Sequence, residues 1–122
     1  LLRCTDRKIA IELNRKGDLD TIIIKNDGNR IEQVLLNLMS NASKFTPEGG
    51  KIKLSIIKTE FKIEIAVADT GIGIRKDDLD SLFGEFSRVV NSETIALNPQ
   101  GNGLGLWISR AMCRAMGGDL TV

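Results

Sequence analysis

Hydrophobic positions change their period several times along the chain, and each change marks an element. In KIAIELN, residues 8–14, Ile9, Ile11 and Leu13 alternate with polar partners, the period of a half-buried strand. TIIIKNDGN follows as a short strand running into a turn. There Asp27 or Asn29 can cap the next helix, because a short side-chain oxygen accepts from an otherwise unpaired first-turn N–H. From Arg30 to Phe45 the apolar residues Ile31, Val34, Leu35, Leu38, Met39, Ala42 and Phe45 recur every three or four positions, which predicts an amphipathic helix with one buried stripe. TPEGG ends it, since Pro47 cannot continue the hydrogen-bond ladder and the glycines turn freely.

KIKLSII and FKIEIAVAD, separated by polar residues at 58–60, predict an antiparallel hairpin. In its second strand Phe61, Ile63, Ile65 and Val67 share a face, and the next residue on that face is Asp69, a carboxylate where the pattern calls for a core residue. DDLDSLFGEF places Leu79, Leu82, Phe83 and Phe86 at helical spacing. Residues 87–102 show no sustained period and read as a long loop, of a length that is usually functional inside a compact domain. Leu104, Trp107, Ile108, Ala111, Met112 and Ala115 then mark a further helix, stopped by Gly117 and Gly118, and DLTV begins another strand. The order predicts an α+β domain over residues 1–122: a two-layer α/β sandwich with three helices on one face of a mixed, mostly antiparallel sheet.

Composition narrows this little. The 17 basic and 16 acidic residues nearly cancel, so no bulk field draws the chain to nucleic acid or an acidic membrane surface. Cys4 and Cys113 form no CxxC or Cys/His cluster, which argues against a zinc site and a disulfide framework and makes a reduced, cytoplasmic setting the expectation. No apolar run approaches a membrane span and no signal-peptide pattern is present, while a membrane-anchored parent protein stays compatible with the sequence. There is no histidine.

Three features carry candidate chemistry. GNGLGL, residues 101–106, fits neither the P-loop nor the dinucleotide glycine pattern. It suits a flexible joint before a helix, or a helix start whose free N–H groups receive phosphate while glycines let the backbone come close. In DTGIGI, residues 69–74, Asp69 suits either a turn cap or an acceptor for the exocyclic amine of a purine. Gln33, Asn37, Asn41 and Lys44 fall on one face of the first helix, at the edge of its apolar arc. This stripe is either a solvated surface or a set in which an amide oxygen serves Mg²⁺ and a lysine opposes phosphate charge. Taken together, the three are complementary parts of one nucleotide site.

NRIEQVLLNLMSNASKFTPEGG resembles the N box of the histidine protein kinase catalytic domain, within the superfamily that includes gyrase, the heat-shock ATPase chaperones and the MutL proteins. VADTGIGI resembles its G1 box, LFGEFSRV its F box and GNGLGL its G2 box, all in family order across residues 29–106. The resemblance implies the Bergerat ATP-binding fold, with ATP and Mg²⁺ as ligands. It implies that Asn41 is the Mg²⁺ ligand and that Asn37 lies near the γ-phosphate and the attacking group. Lys44 would touch phosphate, Phe45 would pack beside the nucleotide, and Asp69 would take the adenine amine, with Gly71 and Gly73 giving room for the ring and Ile74 beside them. Phe83 and Phe86 would anchor a lid, Arg88 would reach the phosphates, and Gly101, Gly103, Leu104 and Gly105 would close that lid over the triphosphate.

The family's phosphoacceptor is a histidine on a separate helical hairpin, and this chain contains none. The implied activity is therefore the donor half of a histidine kinase: transfer of the γ-phosphoryl group to a helical phosphoacceptor domain, which in turn serves a response regulator. The family's last strand is also missing after GGDLTV, which leaves an open sheet edge. The chain by itself is expected to be a monomer that cannot phosphorylate itself on histidine. The alternative is an ATP-hydrolysing module or a pseudokinase of the same superfamily. Against hydrolysis, Asn37 stands where a carboxylate usually polarises water.

Overall fold

The computed structural model describes residues 7–20, 22–84 and 105–122. Strand β1 spans Ala10–Lys16, helix α1 Gly28–Phe45, strand β2 Lys51–Lys58 and strand β3 Ile63–Asp69; a 3-10 turn at Lys76–Asp78 and helix α2 at Gly105–Ala115 complete the order. Asp27 is the residue that caps α1, its side chain accepting the Arg30 N–H at 3.2 Å. At the other end the Thr46 N–H still reaches the Ala42 carbonyl, at 3.0 Å, before Pro47 ends the ladder.

The sheet runs β1-β2-β3. β1 pairs with β2 in parallel through the α1 crossover, and β2 pairs with β3 as an antiparallel hairpin. Among the described residues the sheet is thus evenly mixed rather than mostly antiparallel. The hairpin closes on Thr59, whose N–H donates to the Lys62 carbonyl at 2.9 Å while its Oγ1 accepts the Lys62 N–H at 3.1 Å. Phe61 therefore falls in the turn and is 91% exposed, so it does not share the inward face of β3.

Register places Ile11, Ile52 and Asp69 side by side, followed by Leu13, Leu54 and Val67. α1 covers the β2–β3 part of this face. Met39 and Ala42 of α1 pack with Ile9, Ile52 and Val67, and Ile52 is fully buried. Burying one such side chain stabilises the fold by about 1.5–3 kcal/mol. β1 extends past the helix, which leaves Ile11 43% and Leu13 55% exposed despite their alternation.

Several sequence expectations need correction. Residues 22–25 form no strand, because their backbone finds no ladder partner among the described residues. The helix expected in DDLDSLFGEF is one 3-10 turn at Lys76–Asp78 followed by turns through Phe83, so two α-helices rather than three are seen among the described residues. DLTV runs on without pairing as a strand. α2 turns a different face inward from the one expected: Trp107, Ile108, Ala111 and Ala115 are exposed, whereas Ser109 is buried and Leu106, Met112, Cys113 and Met116 are half-buried. The 87–102 loop lies outside the described residues.

Candidate functional site

A cavity of about 940 Å³ opens between α1, the length of β3, the start of α2 and the segment 118–122. From α1 it takes Asn37, Asn41, Lys44 and Phe45, and from the β3 end and the loop behind it Asp69, Ile72, Gly73 and Ile74. Helical periodicity accounts for the first set, since positions 37, 41 and 44 sit one turn apart on the same flank of the apolar arc. Gln33, the fourth member of that stripe, does not line the cavity and instead accepts from Arg30 at 3.3 Å. Asn41 and Lys44 make no side-chain hydrogen bond or ion pair among the described residues, so both are available to a ligand.

Asp69 performs one of its two expected roles within the protein itself. Its Oδ1 accepts the Gly71 N–H at 2.8 Å, forming a tight turn at the strand end. The turn is locked onto α1 by the Ile72 N–H, which donates to the Phe45 carbonyl at 3.2 Å. Gly71 is what allows this approach: a Cβ there would fall on the Phe45 carbonyl oxygen and stand 2.6 Å from Asp69 Oδ1. The room made by Gly71 is thus taken by the chain's own backbone, and Gly71 is not on the cavity wall. Gly73 is on the wall, with a φ of +72° that glycine adopts without strain. Asp69 is exposed rather than buried, and Oδ2 accepts nothing among the described residues.

α2 closes the opposite side. Asn37 Nδ2 donates to Ser109 Oγ at 2.9 Å, and Gly105, one turn before Ser109, faces the same amide. Gly105 is thus the first described residue of α2 and is packed against that amide. Phe83 and Leu82 also line the cavity, and the Phe83 ring lies 4.6 Å from the Arg110 guanidinium carbon, a cation–π contact. Arg110 in turn makes a bidentate pair with Asp119, at 2.9 and 3.1 Å, and Arg114 joins it at 3.1 Å. Arg110, then the Leu120 N–H and Arg114, hold the Asp119 carboxyl well below the usual carboxylate range. This cluster fixes the segment 118–122, which forms part of the cavity wall.

Of the residues singled out from sequence, the structure thus brings Asn37, Asn41, Lys44, Phe45, Asp69, Gly73, Ile74 and Gly105 to one cavity. Phe86, Arg88, Gly101, Gly103 and Leu104 lie outside the described residues. Sequence reasoning missed Ser109 and the Arg110–Asp119 pair. The spacing of Ser109 four residues after Gly105 was the available signal for the first; Arg110 and Asp119 meet only because the chain turns back after Gly117. No cluster of three His, Cys, Asp or Glu side chains suited to a metal exists among the described residues. The donor set fits a magnesium ion that arrives on phosphate and takes one amide oxygen, rather than one caged by protein carboxylates.

Residues 26–122 match the family described as histidine kinase-, DNA gyrase B- and HSP90-like ATPase. The chain is 41% identical over 105 residues to the adaptive-response sensory kinase SasA of Thermosynechococcus vestitus, a match that covers 85% of this chain and 27% of that protein. It is 43% identical over 101 residues to the sensor histidine kinase WalK of Bacillus subtilis, covering 81% of this chain and 16% of that one. Among solved structures, the nucleotide-free catalytic domain of histidine kinase ThkA superposes with a TM-score of 0.76 at 27% identity, over 93% of this chain and 69% of that one. The chain spans about a quarter or less of the length of these two curated relatives.

Proposed function

Because the chain belongs to the histidine kinase-, DNA gyrase B- and HSP90-like ATPase family, we propose that residues 1–122 are the ATP-binding catalytic part of a sensor histidine kinase, separate from its helical phosphoacceptor domain. The chain binds Mg-ATP and donates the γ-phosphoryl group to a histidine on that helical domain. The observation that carries this reading is that Asn37, Asn41 and Lys44 of α1 line the same cavity as Asp69 and Ile74. Its size falls within the range of about 300–1,000 Å³ usual for small-molecule sites.

In this reading Asp69 Oδ2 accepts the exocyclic amine of adenine, while Oδ1 keeps the Gly71 N–H and so holds the carboxylate still. Ile74 and Phe45 offer apolar surface to the base. Asn41 would hold Mg²⁺, whose contribution there is to offset phosphate charge. Lys44 attracts the phosphates, and Asn37 stands where the transferring group and the incoming imidazole meet. The acceptor comes from outside, since the chain has no histidine. The relatives that support this are sensor kinases, so a response regulator downstream of the helical domain is part of the proposal, as is a cytoplasmic position within a parent protein that can itself be membrane-anchored.

The test is to mix the chain with γ-labelled ATP, Mg²⁺ and a histidine-bearing helical hairpin, then to assay label on the hairpin for the acid lability of a phosphoimidazole. Label that requires both the chain and the histidine supports the reading. Sustained ATP hydrolysis by the chain alone would instead identify a hydrolase.

A further inference from the structure

We infer that Ser109 is a positioning residue for Asn37, holding its carboxamide so that Nδ2 is engaged by α2 while Oδ1 is kept as the acceptor end. The inference deepens the proposed phosphoryl transfer and rests on that reading for its functional consequence.

Ser109 is only 3% exposed, on a helix face where its neighbours Leu106, Met112 and Cys113 pack. A hydroxyl buried so far costs free energy unless it is hydrogen-bonded. Its partner is Asn37 Nδ2 at 2.9 Å, 72 positions away in sequence. Gly105 grips the same amide from the other end, close enough that a Cβ on it would stand 2.5 Å from Asn37 Oδ1. α2 thus touches Asn37 at two points one turn apart, with a hydrogen bond at the nitrogen and close packing at the oxygen. Reversing the amide would set its N–H donors against the Gly105 methylene, where no acceptor is offered.

Among the polar residues that α1 contributes to the cavity, Asn41 and Lys44 have no such hold among the described residues. The difference matches a division of labour. A group that binds a mobile metal–phosphate unit can adjust with it, whereas one set beside a reacting centre gains from being fixed beforehand. With Nδ2 committed to Ser109, Asn37 offers an acceptor, suited to a donor N–H on an incoming imidazole. Ser109 itself is behind Asn37 and touches neither reactant.

The test begins with the side-chain amide signals of Asn37 in a nitrogen-15 spectrum of the 122-residue chain. The Asn37 pair should be dispersed and slow to exchange with solvent, unlike that of Asn41, and should collapse to solvent-like positions in Ser109→Ala. In phosphoryl transfer to the histidine-bearing hairpin, Ser109→Ala should lower kcat about 10- to 100-fold, the scale expected for misplacing a reacting group. Its Mg-ATP affinity and its KM for the hairpin should stay close to the parent values. Asn37 signals indistinguishable from those of Asn41, or Ser109→Ala transferring at the parent rate, would overturn the inference. A parent chain that binds Mg-ATP but transfers nothing would instead overturn the phosphotransfer reading, and the amide signals would still decide the role of Ser109.

Discussion

Gly105 packs directly on the Asn37 side chain: a Cβ at position 105 would stand 2.5 Å from Oδ1 and 3.1 Å from Cγ. Because Ser109 holds the other end of that amide, the contact cannot be relieved by simple rotation. Gly105→Ala should therefore destabilise the chain by about 1–3 kcal/mol through overpacking. The better helix propensity of alanine, worth about 1 kcal/mol in a helix interior and less at its first residue, runs the other way and loses. Gly28→Ala supplies the contrast, since it also opens a helix but has nothing within 4 Å of the added carbon; it should stabilise by about 0.4–1 kcal/mol. Urea unfolding of the two variants checks both signs.

Among the described residues Ile52 is the best-buried apolar side chain, and its neighbours come from α1 and β3 as well as from Ile9. Ile52→Ala should cost about 2–5 kcal/mol and Ile52→Val about 0.5–1.5 kcal/mol. Ile23, 96% exposed, should tolerate serine within about 0.5 kcal/mol. Denaturant midpoints at constant m-value would show the ranking, and an equal effect at the two sites would contradict the assigned core.

The Arg110–Asp119–Arg114 cluster predicts a pH signature. Asp119 is held low in the folded chain, chiefly by its bond to Arg110, so it binds a proton less readily folded than unfolded. Its stabilisation is fully present above the unfolded carboxylate value of about 3.9 and is lost as pH falls below it. Thermal melts of the parent chain and Asp119→Asn should differ most near neutrality and converge below about pH 4. A gap that stays constant or widens in acid would contradict the assignment.

What was legible in the sequence was what periodicity encodes. The apolar stripe of α1 and the alternation of β2 and β3 reflect burial by near neighbours, so all three elements lie where the pattern puts them. The α1 stripe that carries Asn37, Asn41 and Lys44 followed from the same geometry. Legibility failed where long-range contacts outweigh pattern. Ile11 and Leu13 alternate correctly but lie beyond the helix that would cover them. The inward face of α2 joins half-buried Leu106, Met112 and Cys113 with buried Ser109, which bonds Asn37, while the more apolar Trp107 and Ile108 stay exposed. Asp69 carries a turn cap and an unengaged oxygen at once, which one sequence position cannot distinguish.

Whether Asp69 reads a purine, as proposed, is decided by calorimetry with Mg-ATP on the parent chain and on Asp69→Asn. Asparagine keeps an Oδ1 to accept the Gly71 N–H, so the turn should survive. Its amide nitrogen, placed where Oδ2 was, confronts the adenine amine with a donor instead of an acceptor. Loss of a charge-assisted hydrogen bond, worth about 1.5–3 kcal/mol, predicts a Kd for Mg-ATP weaker by about 10- to 100-fold with the melting temperature little changed. Equal affinity in the two proteins would contradict the claim and remove Asp69 from nucleotide recognition.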